Sequence, residues 1–205
     1  MSTSAEGVRA PQQARSQLST DRMLDAALLL LDRDGMAGVT IAAISRVSGV
    51  SNGALYHRFG DRRGLLLAAH DRFLSRLETD WLTLSAPIWS IADPEELLAE
   101  LVDRYLRVFT EHRRTFRAFL LSKESDVDVK ARGLQTSNRG SRFIVGQLAG
   151  RFGCRTDAAM TAYQLLYGQA ILIALFDDDD LPARRVGVRT QREQLTRAMV
   201  AVLRG

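Results

Sequence analysis

The sequence is poor in cysteine, histidine, lysine and long apolar runs, and each shortage removes a class of protein. Cys154 is the only cysteine among 205 residues, so no intramolecular disulfide, CxxC pair or cysteine-built zinc site can form, and a reducing compartment is expected. The three histidines, His57, His70 and His112, fall in different predicted elements with no carboxylate at a ligand spacing. No GxSxG, HExxH or glycine-rich phosphate loop occurs, which leaves catalysis without a nucleophile, a base or a metal set. The expectation is a protein that is not an enzyme and needs no metal or cofactor. Asp177–Asp180 could hold a divalent cation, but a run of adjacent carboxylates reads better as a solvated loop. The longest apolar run, Ala170–Phe176, falls far short of the roughly 20 residues that span a bilayer. The first 17 residues lack the apolar core of a secretion signal. No membrane partner and a cytoplasmic location are therefore expected.

What is present is the composition of an ordinary folded chain, with 46% hydrophobic and 25% charged residues and enough length to bury a sizeable core. Only Lys123 and Lys130 are lysines, so 26 of the 28 basic residues are arginines. Coding bias explains this most simply; the alternative is selection for guanidinium groups that grip phosphate. The distribution of charge says more. Val39–Arg63 holds Arg46, Arg58, Arg62 and Arg63 against Asp61 alone, a net +3 in 25 residues, which makes a polyanionic partner plausible there.

The periodicity is helical throughout, and it predicts an all-α chain of about nine helices with no strand. Residues 1–17, without a period, read as a flexible arm carrying Arg9 and Arg15. A first helix is expected from a Ser19 or Thr20 cap to Gly35, and a second from Thr40 to Ser48, stopped by Gly49. Ser51 would cap a third over Asn52–Phe59, and Asp61 a fourth over Arg62–Leu84. Asp93 followed by Pro94 starts a helix to about Glu111. Further stretches cover about 114–121, 127–152, 156–176 and 190–203. The domain reading is an arm over 1–17, a helix-turn-helix domain over 18–64 with the motif itself at about 39–58, and a ligand-binding and dimerisation domain over 65–205.

The informative piece is Val39–Phe59, two short helices joined by a Gly-centred turn, the helix-turn-helix arrangement. Ser45 and Ser48 are small where the helices must cross, Ile44, Val50 and Leu55 supply the apolar contact, and Gly49 takes the bend. A plain helical hairpin would not need Asn52, His57 and Arg58 together with Arg62 on its exposed side. At Ile44-Ser45, Ser48-Gly49-Val50-Ser51, Gly53-Ala54-Leu55-Tyr56, Phe59 and Arg62 the chain resembles the TetR-type family of bacterial transcriptional regulators. The likeness reaches back to Met23–Ala27 and Gly35 and on to Leu65, covering about residues 15–70. Ser45 and Ser48 replace the family's usual alanines, and Arg62 its usual lysine.

The resemblance implies that Asn52–Arg58 is the core of a recognition helix in the major groove of double-stranded DNA, with Ser51 at its head and Tyr56, His57 and Arg58 along it. Tyr56 and His57 would grip phosphates. Thr40 could offer its hydroxyl or the free N–H groups of its helix end to a phosphate, and Arg62 its charge. For base edges the candidates are Asn52, whose amide suits adenine, and Arg46, whose fork suits guanine. Gly53 and Ala54 are too short to hydrogen-bond through a side chain, so groove shape and the arginine-bearing arm are expected to supplement direct readout.

The helix over 156–176 carries apolar residues nearly all round, which suggests a second surface to cover, and the last helix carries one apolar stripe at i, i+3, i+4, i+7 spacing. Tyr167, Ala170, Ile171 and Ala174 of one, with Leu195, Ala198, Met199 and Val202 of the other, are expected at a homodimer interface. The resemblance implies a four-helix bundle between subunits there, presenting two recognition helices to a palindromic operator. It also places Trp89, Tyr105, Phe109, Phe116, Phe119, Phe143 and Tyr163 around a pocket for a small-molecule effector, though core packing explains any one of them. Gly133, Gly140, Gly146 and Gly150 along one helix could leave room for a ligand or mark a break. The function implied is a dimeric repressor released from DNA by an effector. A membrane-surface helical protein and a dimeric ligand carrier are the alternatives.

Overall fold

The computed structural model describes residues 9–121, 127–177 and 187–205. Among these residues there are nine α-helices, one short 3₁₀ turn and no strand. The helices are α1 (Arg9–Gly38), α2 (Ile41–Ser48), α3 (Asn52–Phe59), α4 (Arg62–Ser85), α5 (Pro94–Glu111), α6 (Arg113–Leu121), α7 (Val127–Phe152), α8 (Thr156–Leu175) and α9 (Val188–Arg204), with the 3₁₀ turn at Ile88–Ser90. They form two compact units, and the division falls inside α4, after Phe73.

In the first unit α1 begins about three turns before Thr20, the residue expected to cap it. Thr20 lies buried within the helix, and its Oγ1 donates to the Ser16 carbonyl at 2.9 Å, so the hydroxyl is satisfied one turn back. The expected arm is therefore helical from Arg9 onward, and residues 1–8 lie outside the described residues. The extension has no apolar period to announce it. Good helix formers (Ala10, Gln12, Gln13, Ala14, Arg15, Gln17, Leu18) carry it, and Pro11 falls in the first turn, where no intrahelical bond is lost. Gly35 interrupts α1 at φ 68°, as a glycine can, before a last turn to Gly38. Met23, Leu24, Ala27, Leu30 and Leu31 of α1 close over Val39, Ile44, Leu55, Leu65 and Leu66, all buried. Each fully buried leucine contributes about 1.5–3 kcal/mol relative to exposure.

The second unit is built on α5, whose Leu97, Leu98, Leu101, Leu106 and Phe109 repeat at helical spacing and face α8 and α9. Asp93 starts it as expected, accepting from the Glu95 and Glu96 N–H groups at 3.3 and 3.4 Å. The α7 helix is continuous through Gly133, Gly140, Gly146 and Gly150, which answers the possibility of a break.

The α8 helix would pass by length and composition as one that crosses a membrane. Its Ala159, Ala162, Leu166, Ala170 and Ala174 are nevertheless buried in the core, where small side chains let neighbouring helices approach. This corrects the expected interface. Ala170, Ala174 and Met199 are fully buried within their own chain and have no surface left for a partner. Tyr167, Ile171, Leu195 and Val202 are half-buried against the same core, and Ala198 is exposed. The large apolar residues that α8 exposes are instead Met160, Leu165 and Leu172, followed by Phe176.

Candidate nucleic-acid interface

Local chemistry fixes the motif. Thr40 caps α2, its Oγ1 accepting from the Ala43 N–H at 3.1 Å, and Ser51 caps α3 by accepting from the Ala54 N–H at 3.3 Å. Between them Gly49 adopts the left-handed conformation at φ 69°, ψ 19°, and its N–H closes α2 on the Ser45 carbonyl at 2.9 Å. Ser48 is buried at this corner, and its Oγ accepts from the Val50 N–H at 3.2 Å. The second serine that replaces an alanine thus tightens the turn.

On α3 the fully buried Leu55 and half-buried Phe59 anchor one side. Asn52, Gly53, Tyr56 and His57 lie together on the outward side, with Arg58 also exposed and Ala54 half-buried. Tyr56 is 54% exposed, so its ring is not a core aromatic. Arg46 projects from the exposed side of α2, next to exposed Val47 and opposite buried Ile44. Thr40 and Ser51 are exposed but engaged as caps, so each offers a phosphate its remaining hydroxyl valence and its helix end rather than a free side chain.

Arg62 was expected on a phosphate, and the structure places it differently. Its Nε donates to the Val39 carbonyl at 2.7 Å and its Nη2 to the Met36 carbonyl at 2.9 Å. Sequence reading also missed Arg22, whose Nη2 donates to the Ser48 carbonyl, and Arg72, which bridges from α4 to Asp21 at 2.7 Å and Asp25 at 2.8 Å on α1. No local pattern betrays contacts between residues 26 or more positions apart.

The second unit gathers some of the expected pocket residues. Tyr105 stacks on Phe109, which stacks on Phe116 at 4.3 Å, and Tyr105 meets Tyr163 edge-on with their hydroxyls 3.1 Å apart. Trp81 and Tyr167, not anticipated, join this set. Burial first, then the neighbouring Tyr163, holds the Tyr105 phenol well above its ordinary range. Trp89 and Phe143 form a separate pair, Phe143 being 43% exposed, and Phe119 is buried on α6. Asp177, at the head of the acidic run, is paired with Arg113 and Arg117 at 3.0 and 2.6 Å. Asp178–Asp180 lie outside the described residues. Among those described, no cluster of three His, Cys, Asp or Glu could hold a metal.

A capped helix-turn-helix in a unit of α1, α2, α3 and the start of α4, followed by a larger helical unit, defines a helix-turn-helix protein of two-unit, all-α architecture among the described residues. Residues 23–69 match the model of the bacterial regulatory proteins of the tetR family. The chain is 31% identical over 93 residues to the HTH-type transcriptional regulator BetI of Stenotrophomonas maltophilia, covering 45% of this chain and 46% of that protein. It thus spans under half the length of the relatives it matches. Its fold is similar to the TetR family transcriptional regulator PfmR of Thermus thermophilus (TM-score 0.57, 22% identity, 90% of this chain and 98% of that one). It is also similar to the multidrug binding protein EbrR complexed with malachite green (TM-score 0.55, 17% identity, 89% and 96%). Residues 23–69 are thus similar to the tetR family, and the fold of the whole is similar to that of solved TetR-family regulators.

Proposed function

We propose that this chain is a cytoplasmic transcriptional repressor that binds a palindromic operator as a homodimer and leaves it when a small molecule binds its second unit. The observation that carries the reading is the outward set Asn52, Gly53, Tyr56 and His57 on a helix whose cap and preceding turn are both fixed. Asn52 and Arg46 read bases; Tyr56, His57 and the ends of α2 and α3 hold phosphates. Dimerisation is supported by the apolar surface of α8. Leu165 and Leu172 are each 40% exposed and share one side with Gly168, and Ala198 of α9 is exposed as well. The effector site is supported by the aromatic set around Tyr105 and by EbrR, a neighbour in fold that is complexed with malachite green. An effector that binds one subunit arrangement better than the other shifts the population away from the DNA-bound form.

The test is anisotropy binding to duplex DNA from upstream of the protein's own and neighbouring genes. Specific, salt-dependent binding is expected, weakened about fivefold or more by Arg46→Ala and Asn52→Ala, as loss of a base contact worth about 1–3 kcal/mol requires. Absence of specific binding would move the assignment to a dimeric ligand carrier.

A further inference from the structure

The basic stretch of the first unit contains arginines with two different destinies. Arg46 and Arg58 are exposed on α2 and α3. Arg62, the first residue of α4, turns back instead and donates to the carbonyls of Met36 and Val39, just before the Thr40 cap of α2. Arg22, from α1, donates to the carbonyl of Ser48, the last residue of α2. A Cβ on Gly49 would come within 2.8 Å of the Arg22 Nη2, so the guanidinium lies directly over the turn. These acceptors sit where helices end, and carbonyls there lack intrahelical donors. The last turn of α1 and the linker that leads into the Thr40 cap are thus fastened to α4, and the trailing end of α2 is fastened to α1. The Ser51 cap of α3 follows only three residues after Ser48, so both fastenings fix where α3 begins and how it is turned.

We infer that Arg22 and Arg62 are positioning residues that set the register of the recognition helix, and through it the selectivity for one DNA sequence, rather than ligands of phosphate. The inference rests on the reading of the first unit as DNA-binding. It also departs from what the resemblance implies for Arg62. A guanidinium gripping two carbonyls in a fork is a geometry that lysine's single ammonium does not reproduce.

The experiment uses the full chain and a duplex that the wild-type protein selects from a random-sequence pool, with an unrelated duplex as control. Affinities of Arg22→Ala, Arg62→Ala, Arg22→Lys and Arg62→Lys are measured across salt concentrations, at a temperature where circular dichroism shows each variant folded. A tenfold or greater loss on the selected duplex is expected, with less than a twofold change on the unrelated one. The slope of log affinity against log salt stays at the wild-type value, and Arg62→Lys behaves like Arg62→Ala, because one ammonium does not grip both carbonyls. A phosphate ligand would act otherwise: alanine would lower the slope by about 0.9 and weaken both duplexes together, while lysine would restore both. That outcome overturns the inference, as does wild-type selectivity in all four variants. Should the wild-type protein select no duplex at all, the DNA-binding reading itself fails.

Discussion

Gly64 and Gly53 are both helical glycines near the motif, and the space around them assigns them opposite roles. A Cβ at Gly64 would lie 2.1 Å from the Phe59 carbonyl oxygen, a backbone atom that cannot swing aside, because α3 and α4 meet there end to end. Gly64→Ala is expected to cost about 1–3 kcal/mol, read as a lower melting temperature. Nothing lies within 4 Å of a Cβ at Gly53. Gly53→Ala is expected to stabilise α3 by up to about 1 kcal/mol, while its added methyl, on the outward side, changes DNA affinity. In the second unit the Tyr105 and Tyr163 hydroxyls hold each other, and burial raises both phenols. A folded-state value raised above the unfolded one stabilises fully below about pH 10 and is lost as pH climbs through the folded value. Tyr105→Phe should remove one late-ionising tyrosine from the 295 nm absorbance titration.

At the level of elements, Asp177 joins the trailing end of α8 to α6 through Arg117 and Arg113, and Arg113 also donates to the Phe176 carbonyl. The hydrogen bond from Arg117 comes first in holding the Asp177 carboxyl below its ordinary range. A lowered folded value stabilises above the unfolded carboxylate range and is lost as pH falls through the folded value. Asp177→Asn is therefore expected to lower the melting temperature at pH 7, by a margin that shrinks as pH falls below the ordinary carboxylate range. The motif was legible in the sequence because caps and left-handed glycines are local signals: Thr40, Gly49 and Ser51 do what their types dictate. The leading turns of α1 were not, since a helix held by propensity shows no apolar period. Nor was the orientation of α8, because a helix apolar on every side carries no mark of which side its own chain covers. The destination of Arg62 was hidden for a third reason, that phosphate oxygens and carbonyl oxygens attract the same fork. Deleting residues 1–15 would show whether the leading turns of α1 touch DNA: the salt slope is expected to fall by about 0.9 for each arginine lost from phosphate.

For the whole molecule, the exposed side of α8 lets the proposed pairing be tested apart from folding. Leu172→Glu places a charge on the exposed surface and is expected to leave a folded monomer by sedimentation, with weakened operator binding. Ala170→Glu buries the same charge in the core and is expected to abolish folding. A dimer that persists in the Leu172→Glu protein would place the interface elsewhere. The same outward leucines bear on how long the chain lasts in a cell. A lone subunit shows water Leu165 and Leu172, and pairing through that side would cover them. Folding and pairing would then draw on the same free energy, and thermal stability would climb with concentration. Abundance would set survival against proteases as well as occupancy of DNA, so that a regulator made in few copies would also be one quickly degraded.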